Sequence, residues 1–152
     1  MDFILGPLQN VQGSAKNLAS PYAVEDNIYI SFELENGAFG TAAWNFAAGF
    51  REDTIEIVGT DTKVSLSTFS EEPIRLTRGS HITEIPATNP RHIQQPLIQT
   101  IVNELHGNGK CPSNGVSAYR TAKILDNALE SYYGGRDDNF WEREGSWPGQ
   151  RL

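Results

Sequence analysis

Apolar and polar residues alternate most regularly just after residue 26, where Ile28, Ile30, Phe32 and Leu34 interleave with Tyr29, Ser31 and Glu33. A period of two is that of a β-strand. Asn36-Gly37 follows, the pair preferred at the two positive-φ sites of a type I′ hairpin turn. A two-residue turn sets the register: Leu34 opposite Phe39, Phe32 opposite Thr41, Ile30 opposite Ala43 and Tyr29 opposite Trp44. One face then carries Ile28, Ile30, Phe32, Leu34, Phe39 and Ala43, the natural core side. The other carries Tyr29, Ser31, Glu33, Gly40, Ala42, Trp44 and Phe46. Large aromatics mixed with small residues and a charge suit a contact surface better than bare solvent. A dimer face of Tyr29, Ser31, Glu33, Ala42, Trp44 and Phe46 is therefore expected. One residue of slip would swap the faces.

The same alternation predicts a first strand within 8–19 and a turn over 20–26. It predicts further short strands at 53–59, 62–67, 73–79 and 81–86, paired through turns at Thr60-Asp61 and Gly79-Ser80. After Asn89 the period changes to 3.6. Leu97, Ile98, Ile101, Val102 and Leu105 form one helical stripe, with Pro96 tolerable in the first turn and Gly107 at the end. A second helix starts near Ser113, with Ala118, Ala122, Leu125, Leu129 and Tyr132 as its inner face and Gly134-Gly135 as its stop. Residues 136–152 have no period and read as a tail, anchored by Phe140 and Trp141. At the N-terminus, Phe3-Ile4-Leu5 runs into Gly6 and Pro7, the signals that end a helix. One turn is too short to stand alone, so more helix is expected before Met1.

Strands in a run followed by helices in a run indicate an α+β fold. The expected form is an open-faced, mostly antiparallel β-sheet with helices packed on one face, over residues 1–135. The helices cover the Ile28/Ile30/Phe32 side and leave the Tyr29/Trp44 side open.

Composition narrows the function classes. A chain of 152 residues has the length of one domain, able to bury a core without disulfides or metals. A net charge of −7 argues against nucleic acid or an anionic membrane as partner, since both need clustered Lys and Arg. No apolar run approaches about 18 residues, so nothing is expected to span a membrane. A single cysteine, Cys111, fits a reducing compartment and a cytoplasmic location.

Candidate chemistry is sparse. Gly107-x-Gly109 lacks a third glycine and follows a helix, which rejects it as a dinucleotide loop. No metal set or nucleophile motif occurs. His106 lies in the last turn of its helix, where a cation suits the dipole, and His81 alternates outward. His92, beside Arg91 ahead of the first long helix, is read as capping or packing, with a substrate contact as the functional alternative. Arg51, at the loop before 53–59, is read as an exposed ion pair with Glu52, or as a ligand for an anionic or hydroxyl group. Arg51 and His92 are the substrate-binding candidates. No catalytic, cofactor-binding or metal-binding residue can be named. Glu25 and Asp26 point to opposite faces, so they are read as turn formers.

Taken in order, LGPLQNVQG, YAVEDNIYISFELENGAFG, TIEIVGTD and HIQQPLIQTIVNELHGNGKCPSNGVSAYRTAKILD resemble the C-terminal domain of the glucose–fructose oxidoreductase / inositol dehydrogenase / MocA family. The resemblance runs from about Phe3 to Tyr133. It implies a two-domain parent whose N-terminal Rossmann domain, in cis, holds NAD or NADP. The domain seen here would supply an open sheet that closes over a small-molecule substrate and carries the homo-oligomer contact. It implies an NAD(P)-dependent dehydrogenase acting on a sugar, polyol or related compound, with no cofactor held by this chain alone. In the family a His or Lys with an upstream Asp transfers a proton from the helix before the Leu-Gly pair. Asp2 is too close to Gly6 to take that role. Two other readings use the same fold: a free-standing binding or assembly module, of which a carbohydrate-binding protein using Tyr29 and Trp44 is one form, and a small self-contained isomerase.

Overall fold

The computed structural model describes residues 1–134 and 139–148. Seven strands and three α-helices follow one another as α1 (Asp2–Leu5), β1 (Leu8–Lys16), β2 (Asn27–Leu34), β3 (Phe39–Asn45), β4 (Ile55–Val58), β5 (Lys63–Leu66), β6 (Ile74–Arg78), β7 (His81–Ile85), α2 (Gln95–Leu105) and α3 (Gly115–Tyr133). A short 3-10 stretch, Phe140–Ser146, follows. This is the expected α+β fold, with the strands in two open antiparallel sheets, β1-β2-β3 and β4-β5-β6-β7. The chain divides into two compact units, residues 1–49 with 111–152, and residues 50–110. Among the described residues no helix is long and apolar enough to cross a membrane.

The first unit is built on α3 lying along β1 and touching β2. Asn114 starts α3 with a capping box: its side chain accepts from the N–H groups of Val116 and Ser117, and Ser117 Oγ accepts the Asn114 N–H at 2.9 Å. Gly134 ends it in the left-handed region at φ 66°, the usual glycine stop. Gly135 and the 135/136 boundary lie outside the described residues. Two apolar clusters form the core. Ile30, Phe32 and Leu34 pack with Ala128, and Leu5, Leu8, Val11 and Ala42 close around them. Ala15, Ala23, Leu129, Tyr132, Tyr133 and Trp147 form the second, with Ile28 touching both.

Two expectations about this core are corrected. Ala118, Ala122 and Leu125 are exposed, whereas Ser117, Arg120, Ile124, Ala128, Leu129, Tyr132 and Tyr133 face inward or are half-buried. The inward face is the one on which Ala128, Leu129, Tyr132 and Tyr133 pack against the sheet, and Arg120 on it meets α1. Its guanidinium donates to both carboxylate oxygens of Asp2, at 3.2 and 2.8 Å. In the C-terminal segment the anchor is Trp147, packed edge-to-face on Tyr133 at 4.8 Å between ring centres. Trp141 is exposed, and the Phe140 side chain lies outside the described residues.

The second unit is a four-strand meander. Ile55, Ile57, Val64, Leu66, Ile74 and Leu76 share one half-buried face. The other face carries the ion pairs Glu56–Lys63 and Arg75–Glu84. In α2, Leu97, Ile98, Ile101, Val102 and Leu105 are all exposed; within the first unit the Ile28/Ile30/Phe32 side is covered by α3.

Candidate functional site

The open side of β1-β2-β3 differs from its expected make-up by one residue of register. Glu33 lies opposite Phe39, Phe32 opposite Gly40, Ile30 opposite Ala42 and Ile28 opposite Trp44. Only Gly37, at φ 83°, is in the left-handed region of the turn, so the turn is not type I′. The Gly37 N–H donates to the Leu34 carbonyl at 2.9 Å and the Leu34 N–H to the Ala38 carbonyl at 2.8 Å. That is the three-residue hairpin, in which a type I turn is followed by a left-handed glycine. Asn36 supports it by accepting the Ala38 N–H at 3.0 Å. Ala42 and Trp44 therefore share the core face with Ile28 and Ile30, while Tyr29, Ser31 and Glu33 share theirs with Phe39, Thr41 and Ala43. Phe46 lies beyond the end of β3. The expected set of Tyr29, Ser31, Glu33, Ala42, Trp44 and Phe46 is thus divided between the faces.

A bulge in β1 completes the open face. Asn10 and Val11 together oppose Phe32, between the pairs Gln9–Glu33 and Gln12–Ser31. The extra residue reverses the alternation, turning Val11, Gly13 and Ala15 inward and Gln12, Ser14 and Lys16 outward. Asn10 occupies the left-handed region at φ 49°, which Asn tolerates better than most residues. Its side-chain amide donates to Glu33 Oε2 at 2.9 Å. A shallow depression lies here, lined by Asn10, Gln12, Ser31, Glu33, Phe39 and Thr41. Tyr29 is 50% exposed and Phe39 80%.

One carboxylate is completely buried, and reading the sequence missed it. Asp26 accepts from the N–H groups of Leu18, Ala19 and Ser20 at 2.7, 2.9 and 2.7 Å, and from the Asn27 amide at 2.9 Å. Burial pushes its pKa up, but the bonds from Asn27 and the three main-chain donors outweigh that. They hold the carboxyl far below the usual range. The loop is further tied by Asn17, which donates to the carbonyls of Tyr22 and Val24 at 2.6 and 2.8 Å. Tyr132 donates to the Ala23 carbonyl at 2.6 Å and Tyr133 to Glu25. Asp26 thus organises a loop and does not face a substrate. The signal available was its place at the end of a Ser/Pro-containing turn.

The two substrate-binding candidates are both exposed and both in the second unit. Arg51 stacks over Phe69, its guanidinium carbon 5.9 Å from the ring centre. Phe69 is placed by Asp53, which accepts from Ser67 Oγ and from the Thr68 and Phe69 N–H groups. Those bonds, Ser67's foremost, hold the Asp53 carboxyl below its ordinary range. The Arg51–Glu52 ion pair does not form among the described residues. His92 uses its main-chain carbonyl, which accepts the Gln95 N–H at 2.9 Å ahead of α2. No hydrogen bond or ion pair joins Arg51 to His92. His106 sits at the C-cap of α2 and His81 is exposed. Cys111 is buried, its thiol donating to the Ser113 carbonyl at 3.1 Å. Among the described residues no group of three or more His, Cys, Asp or Glu could hold a metal ion.

Residues 1–65 match the profile of the GFO/IDH/MocA C-terminal domain. No curated protein matches the chain. The fold resembles three solved enzymes. An oxidoreductase from Agrobacterium radiobacter, in complex with NAD+, L-tartaric acid and magnesium, is 23% identical with a TM-score of 0.70, over 86% of this chain and 42% of that one. A levoglucosan dehydrogenase in complex with NADH is 17% identical with a TM-score of 0.70, over 86% and 44%. A UDP-N-acetylglucosamine 3-dehydrogenase from Acidithiobacillus ferrooxidans is 14% identical with a TM-score of 0.67, over 81% and 40%. The chain thus spans about two fifths of each of these enzymes.

Proposed function

We propose that this chain, which carries the GFO/IDH/MocA C-terminal domain in residues 1–65, is the substrate-side and oligomerisation domain of a cytoplasmic NAD(P)-dependent dehydrogenase acting on a sugar, polyol or related compound. The match over residues 1–65 carries the reading. The fold supports it, being similar over 86% of this chain to enzymes whose structures contain NAD+ or NADH. A Rossmann domain in cis supplies the dinucleotide, and the hydride passes between a substrate carbon and the nicotinamide. Arg51 and His92, both exposed, remain the substrate contacts of this domain. The open face of β1-β2-β3 carries the homo-oligomer contact through Tyr29, Ser31 and Glu33, joined by Phe39 and Thr41.

Because no phosphate loop is present in the sequence, the 152-residue chain alone has neither oxidoreductase activity nor tight nucleotide affinity. Isothermal titration with NADH gives no binding heat on this reading. Micromolar binding would overturn the division of labour between the two domains.

A further inference from the structure

We infer that Arg51, seated over the Phe69 ring, is a subsite for a carboxylate group, so that the substrate this domain meets is a sugar acid and not a neutral sugar. The inference rests on the reading of Arg51 as a substrate contact and adds the charge and class of the ligand.

Among the described residues, Arg75 and Arg120 give their guanidinium groups to Glu84 and Asp2. Arg51 makes no ion pair there. Its guanidinium carbon instead lies over Phe69, 5.9 Å from the ring centre, within the range of a cation–π contact. A guanidinium packed by its face keeps its edge N–H groups free, in the fork that matches a carboxylate.

The ring is itself held by a turn. Asp53 Oδ2 accepts from Ser67 Oγ and from the Thr68 and Phe69 N–H groups, the last two at 2.7 Å. Ser67 Oγ in turn accepts from the Phe69 and Ser70 N–H groups at 3.2 and 3.0 Å. The Asp53 carboxylate is thus committed to placing Phe69. Arg51 lies close enough to help hold that carboxyl low, yet the two form no ion pair. The fork of Arg51 stays available to an external group.

The surrounding charge selects the ligand. Glu52 and Asp53 follow Arg51 directly, and Glu71 and Glu72 come soon after Phe69. One cation in that company does not offset a phosphate group, which carries nearly two charges at neutral pH. A carboxylate carries one and can take two N–H groups of the fork. A neutral sugar offers only hydroxyl acceptors, whose bonds are roughly half as strong as charge-assisted ones. Phe50, the chain neighbour of Arg51, is 77% exposed and leaves apolar surface beside the cation for the C–H face of a sugar ring.

NMR titration of the full 152-residue chain tests this, reading the Arg51 Nε–H and Phe69 amide resonances. The probes are D-glucuronate, D-glucose, acetate and inorganic phosphate at constant ionic strength. Glucuronate shifts both resonances saturably, and each of the other three binds about threefold more weakly or less. Arg51→Gln removes the preference for glucuronate over glucose. Phe69→Ala weakens glucuronate binding by about two- to fivefold, the worth of an exposed cation–π contact, and Phe69→Tyr restores it. Both side chains are exposed, so far-UV circular dichroism of each variant matches wild type. If Phe69→Ala disturbs the turn, Phe69→Leu keeps the bulk without the ring and shows the same loss. Glucose binding as tightly as glucuronate overturns the charge recognition and leaves Arg51 as a contact for a neutral substrate. Acetate or phosphate binding as tightly overturns the sugar acid in favour of a bare anion. No shift with any probe overturns the subsite, while the dehydrogenase reading is tested independently by the DNA upstream of Met1.

Discussion

At Gly13, β1 and α3 approach main chain to main chain. A methyl group there would lie 2.4 Å from the Ala128 carbonyl oxygen and 2.5 Å from its Cα. Carbon atoms pack at about 3.5–4.0 Å, so Gly13→Ala must push the helix off the strand by about 1 Å. Neither neighbour is the free end of a side chain, so no rotamer change relieves the clash. A gap of 0.5–1 Å forfeits a quarter to a half of each contact along the seam, where Leu129 and Tyr132 are buried. Overpacking of this kind costs up to about 3 kcal/mol. Removing a glycine from a strand interior returns roughly 0.5–1 kcal/mol. The net loss is about 2 kcal/mol, a fall in Tm of roughly 4–8 °C for a chain of this size. Differential scanning calorimetry reads it directly. Gly115→Ala is the control, since nothing lies within 4 Å of a methyl group there; at the first residue of α3 it leaves Tm unchanged or slightly raised. Adding Ala128→Gly to Gly13→Ala restores nothing, because the clash is with backbone atoms. A Gly13→Ala protein melting within 1 °C of wild type would refute the close approach.

Trp147 is buried against Tyr133 and the Ala15–Tyr132 cluster, so Trp147→Ala costs about 3 kcal/mol and lowers Tm by roughly 6–12 °C. Trp141→Ala, at an exposed position, changes Tm by less than about 2 °C. Loss of signal on titrating the folded protein with a water-soluble tryptophan quencher comes from Trp141 and Trp44, not from Trp147. For Asp26 the folded pKa lies below the unfolded value. Its stabilisation is therefore complete above about pH 4 and is lost as pH falls through that value toward the folded pKa. Asp26→Asn melts lower than wild type at pH 7, and its Tm falls less steeply below pH 4; parallel Tm–pH curves would count against the carboxylate as the loop's organiser.

Much of the fold was legible because the strands alternate cleanly. All seven lie within the stretches expected for strands, though β1 breaks period two at its bulge, and α2 and α3 follow the change to 3.6 with their glycine stops in place. The face assignment was not legible. Asn36-Gly37 serves both a two-residue type I′ turn and a three-residue turn with one left-handed glycine. The choice moves Ala42 and Trp44 across the sheet. The bulge at Asn10-Val11 was equally hidden, since a reversal of alternation inside a polar strand leaves no mark in composition. In α3 the alanines at 118 and 122 fit either side of the helix, and the contacts that seat it, Ala128 against Gly13 and Tyr132 and Tyr133 in the core, are far apart in sequence. Asp26 looked like an ordinary turn residue because its donors are loop N–H groups, which every sequence has. Arg51 and His92 were placed correctly in loops, but the partner of Arg51 is Phe69 rather than Glu52.

The central claim, that this is one domain of a nicotinamide-dependent dehydrogenase, is tested most directly by sequencing the source DNA 5′ of the Met1 codon. Roughly 400–600 nucleotides suffice for a domain of about 130–200 residues. The account predicts an open in-frame continuation encoding a strand, a Gly-x-Gly-x-x-Gly turn and a helix. An in-frame stop codon directly upstream, with a ribosome-binding site before Met1, would contradict it.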